Sequence, residues 1–499
     1  MIFMKRKIKR VIVLLLAVLM LTASVVACAK DPEPVDTGTA EDSVSDVVDS
    51  NSETEIQWET DEQGFVKDTI TSDMTYNGKE IKILGWKYQE TNTLPPSGDY
   101  KNNIIAQALY NQRLEVEERL DVFFEIEYVP ASWQESDQLL TKVRNGQDYD
   151  LIQTYSLWPM TLACEGYLKD LNDLTYPALE MPWWPESTTE WEQYGSLFFV
   201  ANNSSVLSFK SMMVMYANSD LITSRGVEDP VDVFLRGEWY IDTMLQYVKK
   251  FESDPDYYGL NVGAPSWMDC LYYGSGFNST KNNADGVAEL AFADDTTVSR
   301  ITSLLDKLIA GFSGDEVYFD FDNDGTTAFK NKSTAFHIGP MSDIELLQDS
   351  ETYAVLTTPK LDENQTEYRV IQNNGYDTWC VPATADDPEL SGVVIEAIAS
   401  SEYRTIAPLY FEKYLKLRYS SDAKGVECFN LIRHSIMFDF GRICQYNFGV
   451  RVENLWRNCF SAEGELKSLE NNYSSNHAEA VSTCEIKLKE ILRNMRKYS

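Results

Sequence analysis

The sequence predicts an α/β protein organised in two lobes. Two observations carry this expectation. From Tyr76 to Thr154 the apolar periodicity alternates between strand-like and helix-like spacing, in the order strand, helix, strand, helix, strand. That alternation is what builds a parallel, doubly wound sheet. The roughly 425 residues beyond the N-terminal region also exceed what one hydrophobic core usually serves. A content of 43% apolar and 12% aromatic residues is ample for two large cores.

The body is expected to begin at the Tyr76-Asn77-Gly78-Lys79 turn. In Glu80–Trp86, Ile81 and Ile83 alternate with charges before the run turns apolar, as in a first strand. Ile104, Ile105, Ala108, Leu109, Val116 and Leu120 then recur at helical spacing among polar residues. Val122, Phe124, Ile126 and Tyr128 alternate with Phe123, Glu125 and Glu127, a second strand. Leu139, Leu140 and Val143 mark a short helix that stops near Gly146. Tyr149–Thr154 is the third strand.

Upstream of this body, the basic stretch Lys5–Arg10 precedes an uncharged run from Val11 to Ala27, the order of a secretory signal. The run is 17 residues long, short of the roughly 20 needed to cross a bilayer as a helix. Val25-Val26-Ala27-Cys28 resembles a bacterial lipobox. The resemblance implies cleavage before Cys28, lipidation of its thiol (palmitate among the acyl chains) and an anchor on the outer side of the cell membrane. Residues 1–27 are then the signal peptide. Residues 28–75, rich in Asp, Glu, Ser and Thr, are expected to be a disordered tether, because so few apolar groups cannot offset the entropy of ordering.

Net charge is −35, and loss of the five positive charges of the signal would take it near −40. Nucleic acid and anionic lipid headgroups are poor partners for such a surface. Cys164, Cys270, Cys380, Cys428, Cys444, Cys459 and Cys484 remain beyond Cys28, an odd number without a C-x-x-C pair. Metal ribbons need such pairs, so free, buried thiols are expected, with pairing among the last four as the alternative.

Further along, Tyr149–Leu174 ends in Gly166, Leu168, Asp170 and Leu171, a "G-x-L-x-D-L" passage. Pro182-Trp183-Trp184 supplies a "PWW" segment. Met215–Leu221 reads as "hydrophobic-x-N-K-x-L" with Ser219 in place of Lys, and Gly237–Asp242 as "G-x-W-T-x-D" with Tyr240 in place of Thr. Ala328–Phe336 with Gly339-Pro340 reads as "F-x-x-G-x-A-x-F…G" without its middle Gly, which implies a looser turn. Tyr353–Lys360 reads as "y-x-v-x-P-x-P-K". Together these segments resemble extracellular solute-binding lipoproteins of bacterial carbohydrate ABC importers, of the family 1, maltose-binding-protein-like type. The resemblance runs from Ile81 to about Gly441.

It implies a type II periplasmic-binding-protein-like fold, with two α/β lobes joined by a hinge of two or three crossing strands around an interlobe cleft. Residues 76–196 plus 376–420 would form lobe 1, residues 197–373 lobe 2, and 421–499 helices packing across both. It further implies a monomer without cofactor, binding a sugar or oligosaccharide and delivering it to an ABC transporter permease. Peptide, or a cationic nutrient favoured by the acidic charge, is the alternative ligand on the same fold.

Sugars present flat C–H faces and rings of hydroxyls, so their sites combine aromatic rings with polar side chains. Of 11 Trp and 28 Tyr, position selects a few. Trp86 follows the first strand, and Tyr155 and Trp158 follow the third. Trp267, Tyr272 and Tyr273 lie in a loop-and-helix unit that resembles the second lobe's cleft region. Met341 and Asp343 follow the Gly339-Pro340 turn, and Tyr376 sits where the chain crosses between lobes. Trp183, Trp184 and Trp191 are expected to pack at a surface or lobe edge, and Trp239 in the core.

Asp320–Gly325 spells D-x-D-x-D-G, but Asn331 stands where a calcium loop needs a bidentate Glu, so an acidic turn is the better account. Nucleophile and zinc signatures (G-x-S-x-G, H-E-x-x-H) are missing, and three His leave little for a triad. A paired-carboxylate glycosidase has no sequence spacing to recommend it. A binding protein is expected, not an enzyme.

Overall fold

The computed structural model describes residues 58–319, 326–347, 353–410, 423–448, 452–460 and 469–498. The signal segment, Cys28 and the Asp320–Asp324 turn lie outside them. Three parallel strands, β1 (Lys79–Trp86), β2 (Val122–Val129) and β3 (Leu151–Tyr155), form the first sheet. β1 lies between β2 and β3, and the strand Asp377–Cys380 adds antiparallel to β3. Register pairs Ile83 with the half-buried Ile126 on one side and with the buried Leu151 on the other, so aliphatic side chains share one row. Gly85 is needed here, since a Cβ on it would come within 2.9 Å of the Tyr128 ring.

The helix Ile104–Leu120 starts where the Asn103 side chain accepts from the Ala106 N–H, and ends at Asp121 in the left-handed region. Its buried face is Ile105, Ala106, Leu109, Val116 and Leu120. Ile104, expected on that face, is exposed. Neighbouring residues on a helix lie about 100° apart, so Ile104 and Ile105 cannot both point inward. In β2 the expected alternation holds, with Phe124 buried and Phe123 exposed.

The second sheet is mixed. β4 (Met213–Ala217) and β5 (Tyr258–Val262) flank the strand Thr334–Pro340, with Ala354–Leu356 and Val317–Phe319 at the two edges. β4 runs antiparallel and β5 parallel to the central strand. Between the sheets the chain passes outward through Val200, which exchanges both backbone hydrogen bonds with Trp379 (3.0 and 2.8 Å), and returns through Gln372, bridged to Met212. Two buried carboxyls hold the outward passage. Asp377 accepts from Ser205 Oγ (2.9 Å) and Gln153 Nε2 (3.0 Å), and Glu402 accepts from Asn202 Nδ2 (2.5 Å). Burial pushes both carboxyls above their usual range, and the Asp377 charge raises Glu402 further.

The "G-x-L-x-D-L" passage has a structural reason. Gly166 ends the helix Pro159–Glu165 at φ 79, and a Cβ there would strike the Tyr498 ring of the terminal helix Leu469–Tyr498. Leu168 and Leu171 are buried, and Asp170 Oδ1 accepts from the backbone of Asn172 and of Leu197, at the entry to the first crossing. The terminal helix also packs on the helix Asp295–Gly311 and the strand Ala288–Leu290. No helix among the described residues is long and apolar enough to cross a membrane.

Three expectations are corrected. Residues 58–75 are not part of a tether: Val66 and Ile70 are buried, and Asp68 pairs with Arg119 (2.5 Å) and Arg404 (3.0 Å). Apolar anchors and a shared carboxylate offset the ordering entropy there. Lys332 takes the place of the middle Gly yet adopts φ 57, closing a turn through Lys332 N to Phe329 O (2.9 Å) and Ser333 N to Ala328 O (3.1 Å), so the turn is tight, not loose. Of the surface or lobe edge expected for Trp183, Trp184 and Trp191, the surface is excluded, since all three are buried; Trp184 donates to Glu396, and Trp191 packs against Phe199 and Phe438. Tyr240, in place of Thr, gives the helix Ile241–Val248 no side-chain cap. Trp239 is in the core, and none of the seven described cysteines is in a disulfide; all are buried except the half-buried Cys164.

Candidate functional site

In doubly wound sheets, ligands meet the loops that follow the carboxyl ends of parallel strands. In the first sheet those ends are Trp86, Val129 and Tyr155. Trp86 and Tyr155 meet edge-to-face at 5.3 Å, and both are buried. Trp158 is buried beside them and donates Nε1–H to the Ser132 carbonyl (3.0 Å) in the turn after β2. Tyr376 is buried against Phe438, its carbonyl accepting from Ser156 N (3.2 Å). These four expected residues form one floor under the strand ends.

Trp267, Met341 and Asp343 gather separately, at the equivalent ends of β5 and Thr334–Pro340. His337 joins Trp267 to Asp343: its ring meets Trp267 edge-on at 5.7 Å, and its nitrogens reach Asn261 Oδ1 (2.7 Å) and Asp343 Oδ2 (3.0 Å). Met341 is fully buried, its N–H donating to Met212 O (2.7 Å). Tyr272 and Tyr273 form a third group, packed against Trp456 and bonded to Ser279 and Glu453. All nine expected residues are therefore buried, divided among three clusters.

The ring faces open to solvent belong to residues that strand-end reasoning passed over. Tyr88 is 53% exposed, Trp133 55% and Tyr446 48%. Tyr88 follows β1 by two residues and donates to Glu135 Oε2 (2.6 Å), whose oxygen also lies 3.5 Å from Ser132 Oγ. That hydrogen bond raises the Tyr88 phenol above its usual value. Trp133 stands in the same Ser132–Glu135 turn after β2. Tyr446 arrives from the C-terminal segment and meets Trp158 edge-on at 4.6 Å. One connected rim results, running Tyr446, Trp158, Ser132, Glu135, Tyr88, with Trp133 upon it. The positions of Tyr88 and Trp133 just past parallel strands were a readable signal; Tyr446, over 300 residues away, carried none.

Such a rim offers apolar ring faces beside carboxylate, hydroxyl and carbonyl acceptors, and it holds no nucleophile–base pair. Among the described residues no group of three metal-ligating side chains occurs either.

Residues 115–407, more than half of the chain, match the family described as bacterial extracellular solute-binding protein. The chain belongs to this family. The matching family is family 8, whereas the motifs resemble family 1. Its members are binding proteins, and this solute-binding protein is accordingly not an enzyme. Comparison with curated proteins returns no match. Among solved structures, the galacto-N-biose/lacto-N-biose I-binding protein of an ABC transporter from Bifidobacterium longum, in complex with lacto-N-biose, is 13% identical, with a TM-score of 0.53 over 84% of this chain and 98% of that one. A cyclo/maltodextrin-binding protein complexed with maltotetraose is 13% identical (TM-score 0.52; 84% and 97%). An extracellular solute-binding protein from Staphylococcus aureus, in complex with maltose, is 11% identical (0.52; 85% and 99%). At these identities the likeness establishes the solute-binding-protein fold.

Proposed function

We propose that this solute-binding protein captures an oligosaccharide on the rim of Tyr88, Trp133 and Tyr446 and delivers it to the permease of an ABC importer. The observation that carries the reading is three exposed aromatic faces on one rim, next to Glu135 and above a floor of buried rings. Exposed rings cost solvation unless a partner covers them, and sugar C–H faces are such a partner. Three solved proteins of this fold hold lacto-N-biose, maltotetraose and maltose, which supports the ligand class.

In this reading, residues 76–196 with 376–420 and residues 197–373 act as two lobes. The crossings at Val200 and Gln372 form the hinge, and the second lobe brings the Trp267 cluster toward the rim on closure. The protein is held as a monomer at the outer face of the membrane by a lipid on Cys28.

Titration with maltotetraose tests the site. At 100 times its dissociation constant a ligand adds about 2.7 kcal/mol to stability. Trp133→Ala is expected to weaken binding about tenfold, a loss of roughly 1.4 kcal/mol, while leaving the melting temperature of the free protein unchanged. Binding undiminished in that variant would remove the rim from consideration. Stabilisation by dipeptides or by spermidine in place of glycans would replace the ligand class.

A further inference from the structure

The rim is assembled from two parts of the chain far apart in sequence, and the segment Asp439–Asn447 joins them. Towards the first sheet, Gln445 Nε2 donates to Asn374 Oδ1 (3.0 Å), Asn447 Nδ2 to Thr161 Oγ1 (3.1 Å), and Tyr446 rests on Trp158. On its other side, at the small hairpin of Thr280–Asn282 and Ala288–Leu290, Gly441 N donates to Thr280 Oγ1 (2.9 Å) and Ser279 N to Asp439 Oδ2 (3.0 Å). Arg442 fastens the middle. Its Nη1 donates to Asp269 Oδ2 (2.8 Å), and its Nε donates to the carbonyl of Gln372 in the returning crossing (3.0 Å).

Asp269 opens the helix Asp269–Gly274, two residues past Trp267, and it also accepts from Arg457. Both partners of the Arg442–Asp269 pair are almost wholly buried, at 3% and 1% side-chain exposure. A buried pair of this kind holds one geometry tightly, because any other leaves an uncompensated charge in the interior.

We propose that Arg442 is a positioning residue for ligand binding: anchored on Asp269 and on the Gln372 carbonyl, it fixes the segment that presents Tyr446 to the rim. It touches no ligand itself. A bend in the returning crossing is passed through Gln372 and Arg442 to Tyr446, so rim and hinge move as one. This inference rests on the rim being the binding site.

Arg442→Lys tests it, since Lys keeps the charge but cannot reach Asp269 and Gln372 with two fixed donors at once. With maltotetraose as probe, the variant is expected to bind about tenfold more weakly. The double variant Arg442→Lys/Tyr446→Ala is expected to bind no more weakly than Tyr446→Ala alone, because Arg442 acts only through that ring. Additive losses in the double variant, or an unchanged Arg442→Lys, would overturn the proposal while leaving the rim standing. Full binding by Tyr446→Ala would instead remove Tyr446 from the site, and with it the premise. Amide hydrogen exchange of the whole protein without ligand gives a second readout: Arg442→Lys is expected to accelerate exchange at residues 444–448 and 372–376 but not in β1–β3. Equal exchange in both proteins would also refute the proposal.

Discussion

Single buried groups set how the molecule responds to pH. Glu396 is fully buried and accepts from Trp184 Nε1 and from the Ala178 backbone, both at 3.0 Å. Burial outweighs those bonds and pushes its pKa up to about 7. A carboxyl raised in the folded state favours folding fully below its unfolded value, near 4.5, and loses that contribution as pH rises through about 7. Unfolding free energy from denaturant titrations is therefore expected to fall by about 3 kcal/mol between pH 5 and pH 8 on account of this group, and Glu396→Gln to flatten that slope. Lys332 is a residue in a conformation suited to glycine. A left-handed non-glycine residue costs about 1–2 kcal/mol, against about 0.5–1 kcal/mol of extra chain entropy for Gly. Lys332→Gly is expected to raise the unfolding free energy by up to about 1.5 kcal/mol, read as a higher denaturation midpoint. A lowered midpoint would show that the Lys side chain contributes more than its backbone costs.

Elements are held to one another by a few polar ties rather than by propensity alone. The segment from Trp58 to Tyr76 has little secondary structure, yet Asp68 joins it to the helix Ile104–Leu120 through Arg119, to the helix Pro388–Ser401 through Ser400 and to the stretch after that helix through Arg404. Burial alone would raise the Asp68 pKa, but its bonds to Arg119 and Ser400 and the two cations outweigh it and hold the carboxyl at about 2. This contribution, about 2 kcal/mol, is present above the unfolded value and is lost as pH falls through about 2. Asp68→Asn is expected to release residues 58–75 to limited proteolysis at neutral pH while β1–β3 stay protected. Persistent resistance would mean that Val66 and Ile70 hold the segment by packing alone. Strand alternation made the start of β1 and β2 readable, because period-two burial depends only on neighbours along the chain, while β3, buried throughout, reads as a short, mostly apolar run. The antiparallel edge strand Asp377–Cys380 could not be read in that way: it joins β3 across more than 220 residues.

At the scale of the whole molecule, a binding protein without catalytic groups is useful only where its cargo can be handed on. A net charge of −35 gives the chain no electrostatic attraction to anionic lipid, so the proposed lipid on Cys28 is what would hold it near a permease. In cells expressing the whole chain, Cys28→Ala is expected to shift the protein from the membrane fraction to the medium and to lower uptake of its sugar. Full uptake from a released protein would count against the anchor as part of the delivery mechanism.

The family motifs were legible because each records a local constraint, such as the positive φ of Gly166 or the Asp170 carboxylate bridging two backbone segments. Aromatic candidates chosen by strand position fell at the right ends of the strands, yet Trp86, Tyr155 and Trp158 turned inward. Large rings beside a sheet gain most by completing its core. By itself, then, the sequence determined the α/β class and the first three strands with the two helices between them, carried by short-range periodicity and local turns, while its motifs resembled the solute-binding proteins to which the chain belongs. Tertiary structure alone decided which rings remain open to solvent. Exposure depends on what distant segments cover, and the segment that brings Tyr446 to Trp158 is placed by Arg442 and Asp269, a buried ion pair between residues 173 positions apart.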